Sequence, residues 1–270
     1  MRVPMTSEKR CGDGLYWDRA WSLVEGCTPI GAGCAHCWAA AATHMRACQR
    51  NQKIRWRYKG LTTDTGAFNG AIRMQISALH SHEGLRTPTV FAVWNDLFHE
   101  AVHTGFIKHA VGCMNEARRH RFIVLTKRPW RMVPFVRDLA AHPPNVIFGL
   151  SASTQGELAA MGEYIRRTAL ALPLMLSLEP LLEPVTLPRE VAWLDWVVVG
   201  AETGPGRRPC DPEWMLAVVR QCGGAGIPVF VKAANDEAGG RGRLLTRFGD
   251  LPADLCVREF PHVLMTEVKR

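Results

Sequence analysis

Between residues 89 and 232 the chain repeats one pattern: a short apolar run rich in β-branched residues, a polar residue at its end, then a stretch with helical spacing. The apolar runs fall at 89–94, 121–126, 145–151, 173–178, 195–200 and 227–232. They are apolar rather than alternating and are bounded by turn residues, which is how a parallel strand covered on both faces reads. The intervening stretches at 99–119, 128–141, 154–170 and 211–225 predict helices, the crossovers that parallel strands require. The fold class is therefore α/β with mostly parallel strands. Doubly wound and (β/α) barrel arrangements both satisfy the pattern.

Two segments fall outside this alternation. A basic insert at about 50–87 has little periodicity and contains RNQKIRWRYKG. The segment from about 233 to 270 contains GGRGR and LPAD; it reads as loops plus a short helix closing one end of the sheet. With 270 residues and 47% hydrophobic content, one domain spanning 1–270 is expected, near the size of a single barrel. No apolar run approaches the roughly 20 residues of a membrane span, and the N-terminus lacks a signal-like stretch, so a cytoplasmic protein is expected.

A net charge of +8 favours a polyanionic partner, because summed positive potential attracts phosphates. Most of the excess is arginine, which codon usage in a GC-rich genome also enriches. Within the insert, Arg50, Lys53, Arg55, Trp56, Arg57, Tyr58 and Lys59 interleave cations with rings, which suits backbone contact plus base stacking. A solvated helix face with two inward aromatics reads equally well.

Nine cysteines are many, and an odd number argues against a disulfide framework. Cys27, Cys34 and Cys37 cluster as C-x6-C-x2-C, with glycines inside the loop and an alanine-rich helix beyond it. The other six are scattered, and most read as small buried apolar residues. Glycines let backbone wrap an inorganic cluster, and helix N-terminal amides favour charged thiolates. Three readings stand at this point. The loop holds a 4Fe-4S cluster with one open iron; it holds zinc with His36, His44 or Cys48 as fourth ligand; or the cysteines are unconnected. An open iron can chelate S-adenosylmethionine and deliver the electron that cleaves it, giving a radical that abstracts hydrogen from an inert carbon.

Several segments together resemble the phage Gp37/Gp68-like family, a radical S-adenosylmethionine-like group with a three-cysteine motif. They are GCTPIGAGCAHCWA, YKGLT, NDLFHE, FIVLTKRPWRM, LSLEPLLEPV, DWVVVGAETGPGRRPCDPEW and GIPVFVK, in order from about residue 15 to 265. The resemblance implies a partial or full (β/α) barrel of the radical S-adenosylmethionine type, a cluster on the three cysteines and residence in phage or prophage genomes. It supplies no settled reaction. The chain departs from the pattern in the short WND loop after TVFAV and in the KAAN ending of the last strand, so its substrate is expected to differ.

In such barrels the active site lies at the C-terminal strand ends. Those ends carry Asn95 and Asp96, Lys127 and Arg128, Ser151 and Ser153, Ser177 and Glu179, Glu202 and Thr203, and Lys232 and Asn235. Some can simply pair with one another, as Lys127 with Glu179, or cap helices, as Ser153 and Asp96. Similarity to radical S-adenosylmethionine barrels assigns Asn95 and Asp96 to the methionyl amine, Ser151 and Ser153 to ribose or carboxylate, and His36 to adenine. Glu179, Glu202, Lys127 and Lys232 remain as catalytic groups for the substrate. The TGPGRRP turn after Glu202 offers amides and arginines for a phosphate.

The expected function is a radical S-adenosylmethionine enzyme that rearranges or alkylates a nucleic acid base, with phage DNA foremost and isomerisation as one form. A flavodoxin or ferredoxin would donate the electron. Two alternatives stand beside it: a zinc-stabilised nucleic-acid-binding module without turnover, and a radical enzyme acting on a peptide or metabolite.

Overall fold

All six apolar runs form strands, and they lie side by side in the order in which they occur along the chain. The computed structural model describes residues 2–168, 174–188, 194–204, 206–237 and 242–267. The strands are β1 (Arg2–Pro4), β2 (Arg19–Trp21), β3 (Val24–Glu25), β4 (Arg73–Met74), β5 (Val90–Val93), β6 (Arg121–Thr126), β7 (Val146–Ser151), β8 (Leu174–Leu178), β9 (Leu194–Gly200), β10 (Val229–Asn235), β11 (Leu244–Leu245) and β12 (Met265–Glu267). The helices are α1 (Glu8–Gly12), α2 (Trp38–Ala47), α3 (Gln52–Tyr58), α4 (Thr104–Glu116), α5 (Pro129–Arg137), α6 (Gln155–Thr168) and α7 (Pro212–Ala225).

Eight strands form one sheet in the order β11-β10-β9-β8-β7-β6-β5-β2. From β2 to β10 every neighbouring pair is parallel, and β11 adds antiparallel at the edge. Strand order never reverses, as it would in a doubly wound sheet. Among the described residues the edges β2 and β11 do not pair, so the sheet is open, and of the partial or full barrel expected from the sequence the closed form is not seen there.

The strands read as unbroken apolar runs because both faces are covered. Phe122, Val124, Phe148, Leu150, Val197 and Val199 pack with α4 to α7 through residues such as Ile107, Met132, Leu158 and Met215. On the opposite face Val90, Ile123, Ile147, Met175, Trp196 and Phe230 form a second cluster with Tyr16 and Leu264. At roughly 1.5–3 kcal/mol per fully buried large apolar side chain, these layers dominate stability. Local signals start the crossovers where expected: α7 has Asp211 as N-cap, its side chain accepting from the Glu213 amide at 3.0 Å, with Pro212 in the first turn and left-handed Gly226 at the end.

The ends of the chain differ from the sequence expectation. The last run continues as β10 to Asn235, which is its final residue and pairs with Leu244, so Lys232 lies within the strand rather than at its end. The described part of the tail contains three 3-10 turns and β12, which pairs with β1, in place of a short α-helix. The insert holds α3 and β4, the latter paired with β3. No helix among the described residues is long and apolar enough to cross a membrane.

Candidate active site

A cavity of about 280 Å³ opens at the C-terminal ends of the parallel strands. Cys27, Cys34, Cys37 and His36 line it from the loop between β3 and α2, and Asn95, Asp96, Lys127, Ser151, Glu179, Glu202 and Lys232 line it from the strand ends. All the site residues expected from the sequence therefore share one wall, with the exception of Ser153. It is fully buried, its Oγ has no hydrogen-bond partner, and it sits under the cysteine loop.

The loop is tied to the sheet at both ends. Gly26 turns the chain with φ +89°, and a Cβ there would meet the Ala71 carbonyl oxygen at 2.0 Å, so only glycine fits. Just beyond, Arg128 donates to the Thr28 carbonyl at 3.1 Å and lies 3.9 Å from Cys27 Sγ, while Thr28 Oγ1 is 2.8 Å from His99 Nε2. Further along, Gly33 rests on Ser153, whose Oγ would stand 2.2 Å from an added Cβ. The Ala32 amide donates to Glu157 Oε1 at 2.8 Å, and the Arg208 guanidinium donates to the Ala32 carbonyl at 2.9 Å.

Glu202 closes this arrangement. Its Oε2 accepts from the Arg208 amide at 2.8 Å and Arg208 Nε at 3.0 Å, its Oε1 pairs with the other arm of that guanidinium, and His36 Nδ1 lies 3.0 Å from Oε2. Burial disfavours the carboxylate, but the bonds from Arg208 and His36 outweigh it and hold Glu202 below the usual carboxylate range. Glu202 is thus a clamp on the cysteine loop. Arg208, expected from the sequence to bind a phosphate, is spent on that clamp, and Pro205 of the same turn lies outside the described residues.

Burial pushes the Cys27 thiol up to about 12, with Asp96 adding to the rise and Arg128 opposing it. Burial also raises Cys37, against the amides of Ala40 and Ala39 at the start of α2. A positive metal centre displaces such protons. The three thiols are not gathered within 4.8 Å of one another, as a single ion would require; among the described residues the one group that is comprises His80, His109 and Cys113. Cys48 is at the far end of α2, about 16–17 Å along the helix axis from Cys37. His44 Nδ1 is 3.1 Å from Thr62 Oγ1. Neither joins the three thiols.

The remaining polar strand ends pair differently from the sequence expectation. Asp96 is buried with both oxygens engaged: Oδ1 accepts from Thr126 at 2.7 Å and from the Phe98 amide at 2.9 Å, and Oδ2 pairs with Arg128 at 2.7 Å. Asn95, in the left-handed region at φ 58°, donates to the Val24 carbonyl, and its Oδ1 is buried without a partner. Lys127 donates to Ser151 Oγ at 2.9 Å rather than pairing with Glu179. The cation of Glu179 is Lys232, 2.7 Å from Oε1, and its Oε2 accepts from Tyr16 at 3.1 Å and Ser177 at 3.0 Å. Burial, then the charge of Glu179, pushes the Tyr16 phenol well above its usual value and keeps it a neutral donor.

The cavity rim is aromatic. Trp94 packs edge-on against Trp17 and Trp38, with Arg46 over Trp94 and Tyr58. In the insert, Tyr58 is buried and Arg57 pairs with Glu25, but Trp56 is 77% exposed. Of the two aromatics that a solvated helix would turn inward, one does so. Of the scattered cysteines, Cys113, Cys210 and Cys222 are buried as expected, and Cys48 is exposed.

Sequence reasoning missed Tyr16, Trp17, Glu157 and Arg208 as cavity or loop-supporting groups. Tyr16 and Trp17 precede a three-residue strand too short to register in the pattern. Glu157 and Arg208 sit in a helix turn and a loop, where charged residues are ordinary. Only Arg128, next to Lys127 at a strand end, carried a positional signal.

Residues 15–241, well over half of the chain, match the family model described as "Protein of unknown function (DUF5131)". No curated protein and no solved structure matches the chain.

Proposed function

We propose that this chain, which belongs to the DUF5131 family, is a radical S-adenosylmethionine enzyme built on a partial (β/α) barrel and acting on a nucleic acid base. One observation carries the reading: three cysteines from a single loop share a cavity with the C-terminal ends of six parallel strands. The resemblance to the phage Gp37/Gp68-like proteins adds the chemistry.

The donor set fits a cluster. Three thiols without a fourth leave one iron open, and Arg128, Lys127 and Arg208 offset negative charge around them. When bound, a 4Fe-4S cluster on Cys27, Cys34 and Cys37 supplies one-electron reductive cleavage of S-adenosylmethionine, with a flavodoxin or ferredoxin as electron donor.

The chain's own residues then divide the work. Glu202, Arg208 and Glu157 position the loop. Asn95, Ser151 and His36 are the cofactor side, with Asp96 acting through Arg128. The Tyr16–Glu179–Lys232 network, with Lys127, is the substrate side, where a neutral phenol and an ammonium group can hold or move a proton. The Trp56 face and the net charge of +8 suit a polyanion whose bases stack, with phage DNA as the substrate to test first.

Anaerobic purification tests the reading. A brown protein with about four irons per chain is expected, colourless after Cys27→Ala, Cys34→Ala or Cys37→Ala and unchanged after Cys222→Ala. A colourless wild type, or full iron in any of the three loop variants, overturns it.

A further inference from the structure

A second group of metal-ligand side chains lies at the other end of the sheet. His109 and Cys113 are four positions apart on α4, so helical geometry stacks them one turn apart on one face. His80 approaches that face from the turn after Ile76–Ala78, with its ring 6.0 Å from that of His109. One ligand atom from each of the three lies within 4.8 Å of the others.

Three features point from this juxtaposition to an ion. The donors are two imidazoles and a thiol, the set that borderline-soft divalent metals take. His80 Nδ1 is 2.7 Å from Glu83 Oε1, the carboxylate support that metal-binding histidines commonly have. His80 and Cys113 border a cavity of about 390 Å³, also lined by Glu83, Glu116, Arg118, Arg119 and the buried His82 and His120, whose Nδ1 atoms have no hydrogen-bond partner. Tetrahedral bonds of about 2.0–2.3 Å set ligand atoms about 3.3–3.8 Å apart. Closing that difference requires a change of rotamer at the exposed His80 and His109, since Cys113 is buried in the core.

We propose that His80, His109 and Cys113 form a zinc-class divalent metal site, its fourth position open to the cavity. The ion fastens the end of the basic insert to α4, next to the start of β6 and away from the loop cysteines. It joins two segments of different elements, so binding stabilises the folded chain by mass action.

The test uses the full chain stripped by chelation and titrated anaerobically with cobalt(II), whose thiolate charge-transfer absorption reports a bound cysteine. The wild type and a Cys27→Ala/Cys34→Ala/Cys37→Ala variant should both take up one cobalt with that band. Cys113→Ser should lose it, and Glu83→Gln should weaken binding about 10- to 100-fold. His109 is exposed, so His109→Gln keeps the fold and tests the same ligand set if Cys113→Ser or the triple variant does not fold. A band that survives Cys113→Ser and His109→Gln, or cobalt bound without any thiolate band, overturns the site. Neither result bears on the iron content of the loop.

Discussion

Glu202 and His36 are 166 positions apart in the chain and 3.0 Å apart in the fold, carboxylate oxygen to imidazole nitrogen. The same carboxylate holds Arg208, whose guanidinium reaches the Ala32 carbonyl two residues before Cys34. The segment just past β9 therefore holds the cysteine loop through one side chain. Replacing Glu202 by Gln keeps its shape and removes the charge from these bonds. The expected cost is roughly 1.5–3 kcal/mol in thermal or denaturant unfolding, with reduced iron per chain after anaerobic reconstitution. Unchanged stability together with full iron would show that the loop does not depend on the clamp.

Acid should act on the same contact. The folded carboxyl of Glu202 titrates below its unfolded value, because Arg208 and His36 outweigh the burial that opposes its charge. Stability from such a group is fully present above the unfolded value, about 4.3 for Glu, and is lost as pH falls through the lower folded value. Wild-type unfolding midpoints should drop in that window, and Glu202→Gln should flatten the drop. Parallel profiles for the two proteins would remove Glu202 from the acid response.

Arg128 is 1% exposed and reaches Asp96, Glu100 and the Thr28 carbonyl at once. Arg128→Met leaves the Asp96 carboxylate buried and unpaired with a cation, at an expected cost of about 3–5 kcal/mol. Arg128→Lys should recover only part, since an ammonium group cannot span the three partners of a planar guanidinium. Chemical denaturation of both variants measures this, and equal stability of Arg128→Lys and wild type would contradict it.

Trp56 contributes area to solvent and little to the core. Trp56→Ala should leave stability within about 0.5 kcal/mol. Affinity for single-stranded DNA should fall by about 1–3 kcal/mol, while the slope of log affinity against log salt stays unchanged because no phosphate contact is lost. Arg55→Ala should instead reduce that slope. DNA binding that is indifferent to both substitutions would detach the insert from nucleic acid recognition.

Trp196 packs between Tyr16, Phe230 and Phe260 on the face opposite the helices and donates to the Glu259 carbonyl at 2.9 Å. Trp196→Ala should cost about 3–5 kcal/mol in denaturant unfolding, because the surrounding rings cannot close the void. A loss below about 1 kcal/mol would mean that this second layer is loosely packed.

The six central strands, the helices between them and a rim of polar strand ends were legible in the amino-acid pattern. Burial on both faces leaves an unbroken apolar run in Val146–Ser151 or Leu194–Gly200, and that signal is local. Spacing alone also marked Cys27, Cys34 and Cys37. The open sheet among the described residues, Ser153 beneath the loop, and Lys232 rather than Lys127 at Glu179 came from packing between distant segments. Only such packing joined His80 to His109 and Cys113. Period and composition record how each residue is buried along its own element, whereas a salt bridge or a ligand set depends on distances of a few ångströms between elements. Those distances arise when the whole sheet closes its core, and no stretch of chain contains them beforehand.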